Sequence, residues 1–200
     1  MAMGVTEQAS RYGLALHTTS PQLGLALSDF QGLEKRQTWD LDRDLSSHLH
    51  SLLQAFIAPQ TWSDFALIGV AKGPGRFTGT RMGMATARTL AQQLQIPLFA
   101  ISTLSAIAHY YKTQNPEQFP DSDCIAVQVP ARRQQLFVGI YHISATGLTV
   151  EYPDRIITET EWEETLKELS FPNQLLEITE EQLGETVSSV LELAFQQWQQ

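Results

Sequence analysis

Short apolar runs separated by turn-forming residues characterise the start of the chain. The apolar runs lie at 13–18 and 23–27, a more polar run of strand length follows at 35–41, and the connections Ser20-Pro21-Gln22 and 29–32 are too short for a helix. Runs of this length, bounded by Gly, Pro, Asp and Ser, are typical of β-strands. The pattern therefore predicts three adjacent strands in an antiparallel meander.

The spacing then changes to that of helices. Asp44 is a candidate N-cap, Pro59 a stop signal, and the apolar residues between them recur at helical intervals. Beyond them the pattern predicts a buried strand at 66–71, a helix to about residue 94, a strand at 98–101 and a helix capped by Ser102 or Thr103. The first half thus reads β-β-β-α-β-α-β-α.

The second half begins in the same way and is shorter. Strands are predicted at 124–129, 135–143 and 148–152, and Thr158 with Glu161 forms a capping box for a helix reaching Leu169. A short strand at 175–178 and a helix over 180–198 complete a β-β-β-α-β-α unit. The pattern predicts two lobes, 13–112 and 123–200, joined by the polar linker 113–122 and preceded by a flexible N-terminus at 1–12.

Composition and charge narrow the function. Hydrophobic residues make up 42% of the 200 residues, which is typical of a folded globular protein. The net charge of −9 argues against direct, tight nucleic-acid binding, because phosphate neutralisation requires clustered Lys and Arg. No apolar stretch reaches the roughly 18 residues that span a bilayer, and the start of the chain lacks the order of a secretory signal. The cytoplasm is the expected compartment.

Few side chains suggest catalysis or metal binding. Cys124 is the only cysteine and lies in an apolar run, which favours a buried structural thiol over a nucleophile. His48 and His50 lie two residues apart and on different faces of one helix, so they do not form a metal pair. We therefore expect no catalytic residue, no metal site and no cofactor.

A glycine-rich turn links the strand at 66–71 to the following helix. Its glycines follow the spacing Gly-x-Gly-x-x-x-Gly, which is neither a dinucleotide fingerprint nor a P-loop. A tight turn that holds strand against helix is favoured on this spacing. A cradle for an anion at the helix N-terminus is the alternative.

The helix after this turn carries a ridge of small residues, which we call the bare ridge: Gly79, Gly83, Ala87 and Ala91. Glycine in a helix costs about 1 kcal/mol relative to alanine, so the ridge indicates close approach of another backbone. That backbone belongs either to the chain's own sheet or to a helix of a partner. The ridge extends over three helical turns, longer than one strand crossing requires, and this favours the partner.

The same segment carries a family resemblance. Residues 73–83, Gly-Pro-Gly-Arg-Phe-Thr-Gly-Thr-Arg-Met-Gly, resemble the Gly-Pro-Gly-Ser-Phe-Thr-Gly-x-Arg-x-Gly signature of the TsaB (YeaZ) family. Residues 15–20 and 101–104 also resemble the corresponding segments of this family. The residues that carry the signature are Gly73, Pro74, Gly75, Phe77, Thr78, Gly79 and Arg81.

The resemblance implies an α/β fold of the actin-like ATPase (ASKHA, ribonuclease H-like) superfamily. Its core is a duplicated β-β-β-α-β-α-β-α unit, here with a shortened second half. Catalytic members hold metal and phosphate with an Asp in the first strand of each half, and His17 and Pro130 occupy these positions here. A neutral His is a poor ligand for Mg²⁺, and Pro offers no ligand at all. The resemblance therefore implies a protein without catalysis of its own.

The function implied by the resemblance is that of a scaffold subunit in the synthesis of threonylcarbamoyladenosine (t6A) on tRNA. Such a subunit partners the catalytic subunit TsaD and the ATPase TsaE, meets tRNA only indirectly and pairs with itself when alone. The alternative is a degenerate nucleotide-binding phosphotransferase or sensor. The residues expected at the partner or dimer interface are Leu45, Leu49, Leu52, Phe56, Gly79, Gly83, Ala87 and Ala91.

Overall fold

A computed structural model describes residues 11–169 and 173–200. The predicted flexible N-terminus therefore lies outside the described residues, except for residues 11 and 12. The first half contains five strands and three helices: β1 (Tyr12–His17), β2 (Gln22–Ser28), β3 (Glu34–Asp40), α1 (Leu45–Ile57), β4 (Phe65–Ala71), α2 (Phe77–Leu94), β5 (Leu98–Ile101) and α3 (Thr103–Gln114).

The first five strands form one mixed sheet in the order β3-β2-β1-β4-β5. The meander β1-β2-β3 is antiparallel, whereas β4 and β5 are parallel to β1 because a helix precedes each of them. Leu14 and Leu16 of β1 face α1 and α2, and the intervening Ala15 faces the opposite side of the sheet. Both faces are covered, which explains the near-continuous apolar runs of β1, β2 and β4.

The second half repeats this plan with one strand fewer. It contains β6 (Cys124–Pro130), β7 (Gln135–Ser144), β8 (Gly147–Thr158), α4 (Glu159–Glu168), β9 (Asn173–Glu177) and α5 (Val187–Trp198). Its sheet has the order β8-β7-β6-β9, with β9 parallel to β6 in the position that β4 occupies beside β1. The duplicated actin-like fold with a shortened second half is thereby confirmed.

The last helix of each half packs on the sheet of the other half. Helix α5 covers Ala15, Ala26 and Leu67 of the first sheet, and α3 covers Ile125 and Val127 of the second. The two helices also contact each other, so the layers run α1/α2, first sheet, α5/α3, second sheet, α4. The division into lobes at 13–112 and 123–200 remains a prediction, and in this packing each lobe buries the final helix of the other.

Local start signals in the sequence were mostly accurate. The Ser102 hydroxyl accepts hydrogen bonds from the amides of Leu104 and Ser105 at the start of α3, and Thr158 and Glu161 form the predicted capping box of α4. Asp44 does precede α1, but its side chain makes no capping hydrogen bond because 42–44 is already a 3-10 turn.

Two elements differ from the expectation. The strand predicted at 148–152 is longer in the structure, where β8 continues through Pro153 to Thr158. Proline has no backbone N–H to donate, and Pro153 is tolerated because the pairing of β8 with β7 is irregular next to Gly139. The helix expected over 180–198 is a 3-10 segment, Glu180–Thr186, followed by α5. Within the described residues, no helix is long and apolar enough to cross a membrane.

Candidate functional site

The glycine turn closes over the β1–β2 connection. A Cβ at Gly75 would lie 2.3 Å from the carbonyl oxygen of Thr19, and one at Gly79 would lie 2.2 Å from that of Thr18. The Arg76 amide donates a 2.7 Å hydrogen bond to the Thr19 carbonyl, and the Thr18 hydroxyl donates to the Gly79 carbonyl at 2.8 Å. The glycines are therefore needed for close approach of one backbone to another.

The same turn is fastened to α3 on its other side. The amide of Thr103 donates to the carbonyl of Gly73 at 2.8 Å, and that of Lys72 donates to Ile101 at 2.8 Å. The hydroxyls of Thr19 and Thr103 lie 3.3 Å apart and are buried. These contacts join β1, β4, β5 and α3 at one edge of the first sheet, which supports the tight-turn interpretation over the anion cradle.

The bare ridge packs on the chain's own sheet. There is no space for a side chain at Gly83, since a Cβ there would lie 2.1 Å from the Thr18 hydroxyl oxygen. Ala87 and Ala91 are buried in the core between α1, α2 and the first sheet. The favoured interpretation, in which a partner helix contacts this ridge, is therefore wrong: α2 lies along the sheet for several turns because it crosses both β1 and β4.

The apolar stripe of α1 is buried in the same core. Leu45, Leu49 and Phe56 are at most 6% exposed, and Leu52 is half-buried. Leu45, Leu49 and Phe56 fill the space over β2, so they position the helix and are not free to meet another protein. Leu52 is only partly covered, and its place at the interface stays a prediction. An interface formed by α1 and α2 has to use the opposite, exposed faces of both helices.

The exposed start of α2 is aromatic and basic. Phe77 is 70% exposed, the largest value among the exposed large hydrophobic side chains of the described residues. The guanidinium of Arg81 lies over its ring, 5.1 Å from the centroid, which holds both side chains at the surface. Thr78 and Arg88 are exposed on the same helix, and Arg76 forms an ion pair with Asp42 at the start of α1.

His17 lies at the end of β1 and is completely buried. Neither ring nitrogen has a hydrogen-bond partner among the described residues. Burial away from water lowers the pKa of His17 to about 3, so the imidazole is neutral at physiological pH. A residue in this state has no access to a nucleotide or to solvent.

The position expected to correspond in the second half is Pro130, at the end of β6. It is exposed, as are Arg132 and Arg133 in the turn that follows. The described part of the chain holds no group of three or more His, Cys, Asp or Glu side chains suited to a metal ion. His48 and His50 are both exposed on α1, and Cys124 is buried with its thiol pKa raised by desolvation.

Two polar clusters were not recognised in the sequence, one at the exposed Asp154 and one at the buried His109. The carboxylate of Asp154 accepts hydrogen bonds from the hydroxyls of Ser102, at 2.5 Å, and Tyr141, and burial raises the pKa of this tyrosine. His109 of α3 lies 3.0 Å from the Ser189 hydroxyl of α5. Both clusters join residues far apart in sequence, and no local pattern indicates such pairs.

Comparison with known proteins places this geometry in a family. The family model described as TsaD, tRNA N6-adenosine threonylcarbamoyltransferase, matches residues 42–182. The tRNA threonylcarbamoyladenosine biosynthesis protein TsaB of Bacillus subtilis is 35% identical over 164 residues, which cover 80% of this chain and 67% of that protein. The chain belongs to the TsaB (YeaZ) family. It is thus a protein of t6A biosynthesis.

Further relatives agree with this assignment. TsaB of Buchnera aphidicola subsp. Schizaphis graminum is 35% identical over 115 residues, 54% of this chain and 50% of that protein. The solved structure of YeaZ from Pseudomonas aeruginosa superposes with a TM-score of 0.73 at 19% identity, covering 94% of this chain and 92% of the other. At that identity the likeness shows that the two proteins share a fold.

Proposed function

We propose that this chain is a non-catalytic subunit of the t6A synthesis machinery that docks on a TsaD-like catalytic subunit. The docking surface is the exposed face of α1 and α2, which we call the α1–α2 face. A TsaE-like ATPase joins the assembly, and tRNA is bound by the complex and not by this chain alone. In the absence of the catalytic subunit, the same face pairs two copies of the chain.

The observation that carries this proposal is the exposed pair Phe77 and Arg81. An aromatic ring that is 70% exposed on a rigid helix and stacked by an arginine has the composition of an interface hot spot. The bare ridge supports it indirectly, because it locks α2 against the sheet and holds Phe77 in one place.

Charge supports the same face. The chain as a whole carries a net charge of −9, with 13 Lys and Arg against 22 Asp and Glu. Yet Arg76, Arg81 and Arg88 are all exposed at the start of α2 or along it, and Arg43 is exposed between Asp42 and Asp44 in the turn before α1. A basic face on an acidic protein favours an acidic partner surface and orients the encounter.

The lack of independent catalysis rests on His17 and Pro130. His17 is buried and neutral, so it neither binds Mg²⁺ nor faces a substrate. Pro130 has no side-chain oxygen. Phosphoryl transfer depends on metal ions and charged groups that position and neutralise the phosphates.

We expect Phe77→Ser to weaken binding to the catalytic subunit of the same organism by at least tenfold, measured by isothermal titration calorimetry. Removal of a hot-spot side chain typically costs about 2 kcal/mol or more. The matched control is Ile156→Ser, since Ile156 is 55% exposed on β8, away from α1 and α2. Equal affinities for wild type and Phe77→Ser, with Ile156→Ser weakened instead, would show that the partner occupies another surface.

A second measurement addresses the degenerate-kinase alternative. Titration of the purified chain with ATP and Mg²⁺ is expected to give no binding heat and no hydrolysis. The reason is that His17 is buried away from solvent and that hydrogen bonds close the glycine turn over Thr19, so neither is accessible to a nucleotide. Saturable binding that is lost in a Thr19→Val variant would support a nucleotide site and contradict the proposal.

A further inference from the structure

Strand β9 forms one edge of the second sheet, and its outer side has no strand partner among the described residues. The first sheet shows what normally fills this place. There β4, the counterpart of β9, pairs on its outer side with β5, which runs parallel to it. The second half lacks that β-α unit, so the backbone of β9 remains available for pairing.

The register of β9 determines which backbone groups point outward. The amide of Ile178, the residue after the strand, donates a 2.9 Å hydrogen bond to the Gln128 carbonyl of β6. Backbone groups of successive strand residues alternate between the two sides. The N–H and C=O groups of Leu175 and Glu177 therefore point away from β6, toward the open edge.

Side chains along this edge combine an apolar and an acidic character. Leu175 is 43% exposed, although its neighbour in β6, Ala126, is buried. Glu177 is exposed beside it, and its carboxylate accepts a 3.3 Å hydrogen bond from the Gln128 side chain. Glu177 is the acidic residue of β9 itself, in a chain whose net charge is −9.

This charge selects among possible partners. A second copy of the chain would bring an edge with its own Glu177 close to this one, and like charges near each other across a strand pair are destabilising. An extended segment with Lys or Arg side chains gains both the backbone hydrogen bonds and attraction to Glu177. An apolar side chain two residues from the basic one lies on the same face of the segment and would cover Leu175.

We propose that the outer edge of β9 receives an extended, Lys- or Arg-bearing segment of another protein, which completes the second sheet by strand addition. The segment hydrogen-bonds to the outward backbone groups of Leu175 and Glu177. This surface belongs to the second sheet, whereas the α1–α2 face lies on the first, so neither proposal depends on the other.

The test uses the full-length chain labelled with ¹⁵N and, as a probe, the blocked peptide Val-Thr-Lys-Thr-Val-Thr-Lys-Thr, which carries valine and lysine in turn on one face. With the peptide in excess, amide exchange at Leu175 and Glu177 is expected to slow at least tenfold, because free edge amides become hydrogen-bonded. Resonance shifts are expected to centre on 174–178. The same peptide with glutamate in place of lysine is expected to leave these amides unchanged.

Variants separate strand addition from charge attraction alone. Glu177→Pro removes an outward N–H and keeps the pairing with β6, so it is expected to weaken peptide binding at least tenfold. Glu177→Gln keeps the N–H and is expected to weaken it only two- to threefold. The Phe77→Ser variant is expected to bind the peptide as wild type does.

Three results would overturn the proposal. One is unaltered exchange at Leu175 and Glu177 in the wild-type chain with the peptide in excess, which does not depend on any variant folding. Another is equal loss of binding in Glu177→Gln and Glu177→Pro, which would indicate attraction by charge alone. The third is protection of these amides without peptide that rises with protein concentration, which would identify a second copy as the occupant.

Discussion

Gly83→Leu is expected to lower the free energy of unfolding by about 3 kcal/mol, at the upper end of the usual cost of overpacking. Any Cβ at this position would lie 2.1 Å from the Thr18 hydroxyl oxygen, and Thr18 is a buried, β-branched residue that cannot move aside. For a domain of this size the loss corresponds to a decrease of roughly 6–12 °C in Tm. Thermal melting followed by circular dichroism measures it.

Ala85→Leu provides the matched control on the same helix. Ala85 is exposed, so a leucine there meets solvent and is expected to change Tm by less than about 2 °C. The interpretation of the bare ridge as core depends on this contrast. If Gly83→Leu melted like wild type and had lost association with the catalytic subunit, the ridge would be an interface after all.

Acid is expected to destabilise the protein through His17. The pKa of this histidine is about 3 in the folded chain and close to 6.5 when unfolded, because burial disfavours the imidazolium. Between these values the unfolded state binds more protons than the folded state, so stability falls as the pH decreases below 6.5. At pH 5 the loss is about 2 kcal/mol relative to pH 7.5, at about 1.4 kcal/mol per pH unit.

His109 is also expected to lower the stability of the protein in acid, since burial lowers its pKa to about 4. Burial raises the pKa of its neighbour Glu192, and this shift stabilises the folded protein as the pH falls. Glu192 therefore offsets part of the destabilisation by His109. Urea unfolding at a series of pH values from 5 to 7.5 measures the combined slope. The contribution of His17 is then isolated by substitution.

His17→Leu is expected to flatten the acid dependence and to raise stability at pH 7.5 by about 1–2 kcal/mol. Leucine fills a similar volume and removes two ring nitrogens that have no partner among the described residues. His48→Leu is the matched control, because His48 is exposed on α1 and its substitution is expected to leave the slope unchanged. An unchanged slope in His17→Leu would mean that this histidine is hydrated in the native protein.

The sequence by itself determined the order of elements and several of their ends. Ser102 and Thr158 begin α3 and α4 as predicted, because a capping hydroxyl acts on amides two or three residues away. The duplicated plan could be predicted from the repeated meander, helix and strand pattern. The residues 73–83 indicated the family, since a glycine-rich junction of this kind tolerates few alternatives.

Only the tertiary structure decided what those elements contact. The same small-residue spacing fits a sheet or a partner helix, and the position of Thr18 under Gly79 and Gly83 resolved the choice. The burial of His17 and the exposure of Phe77 likewise depend on how elements distant in sequence meet. Periodicity reports which face of an element is buried, whereas the identity of its neighbour depends on packing between segments that no local pattern connects.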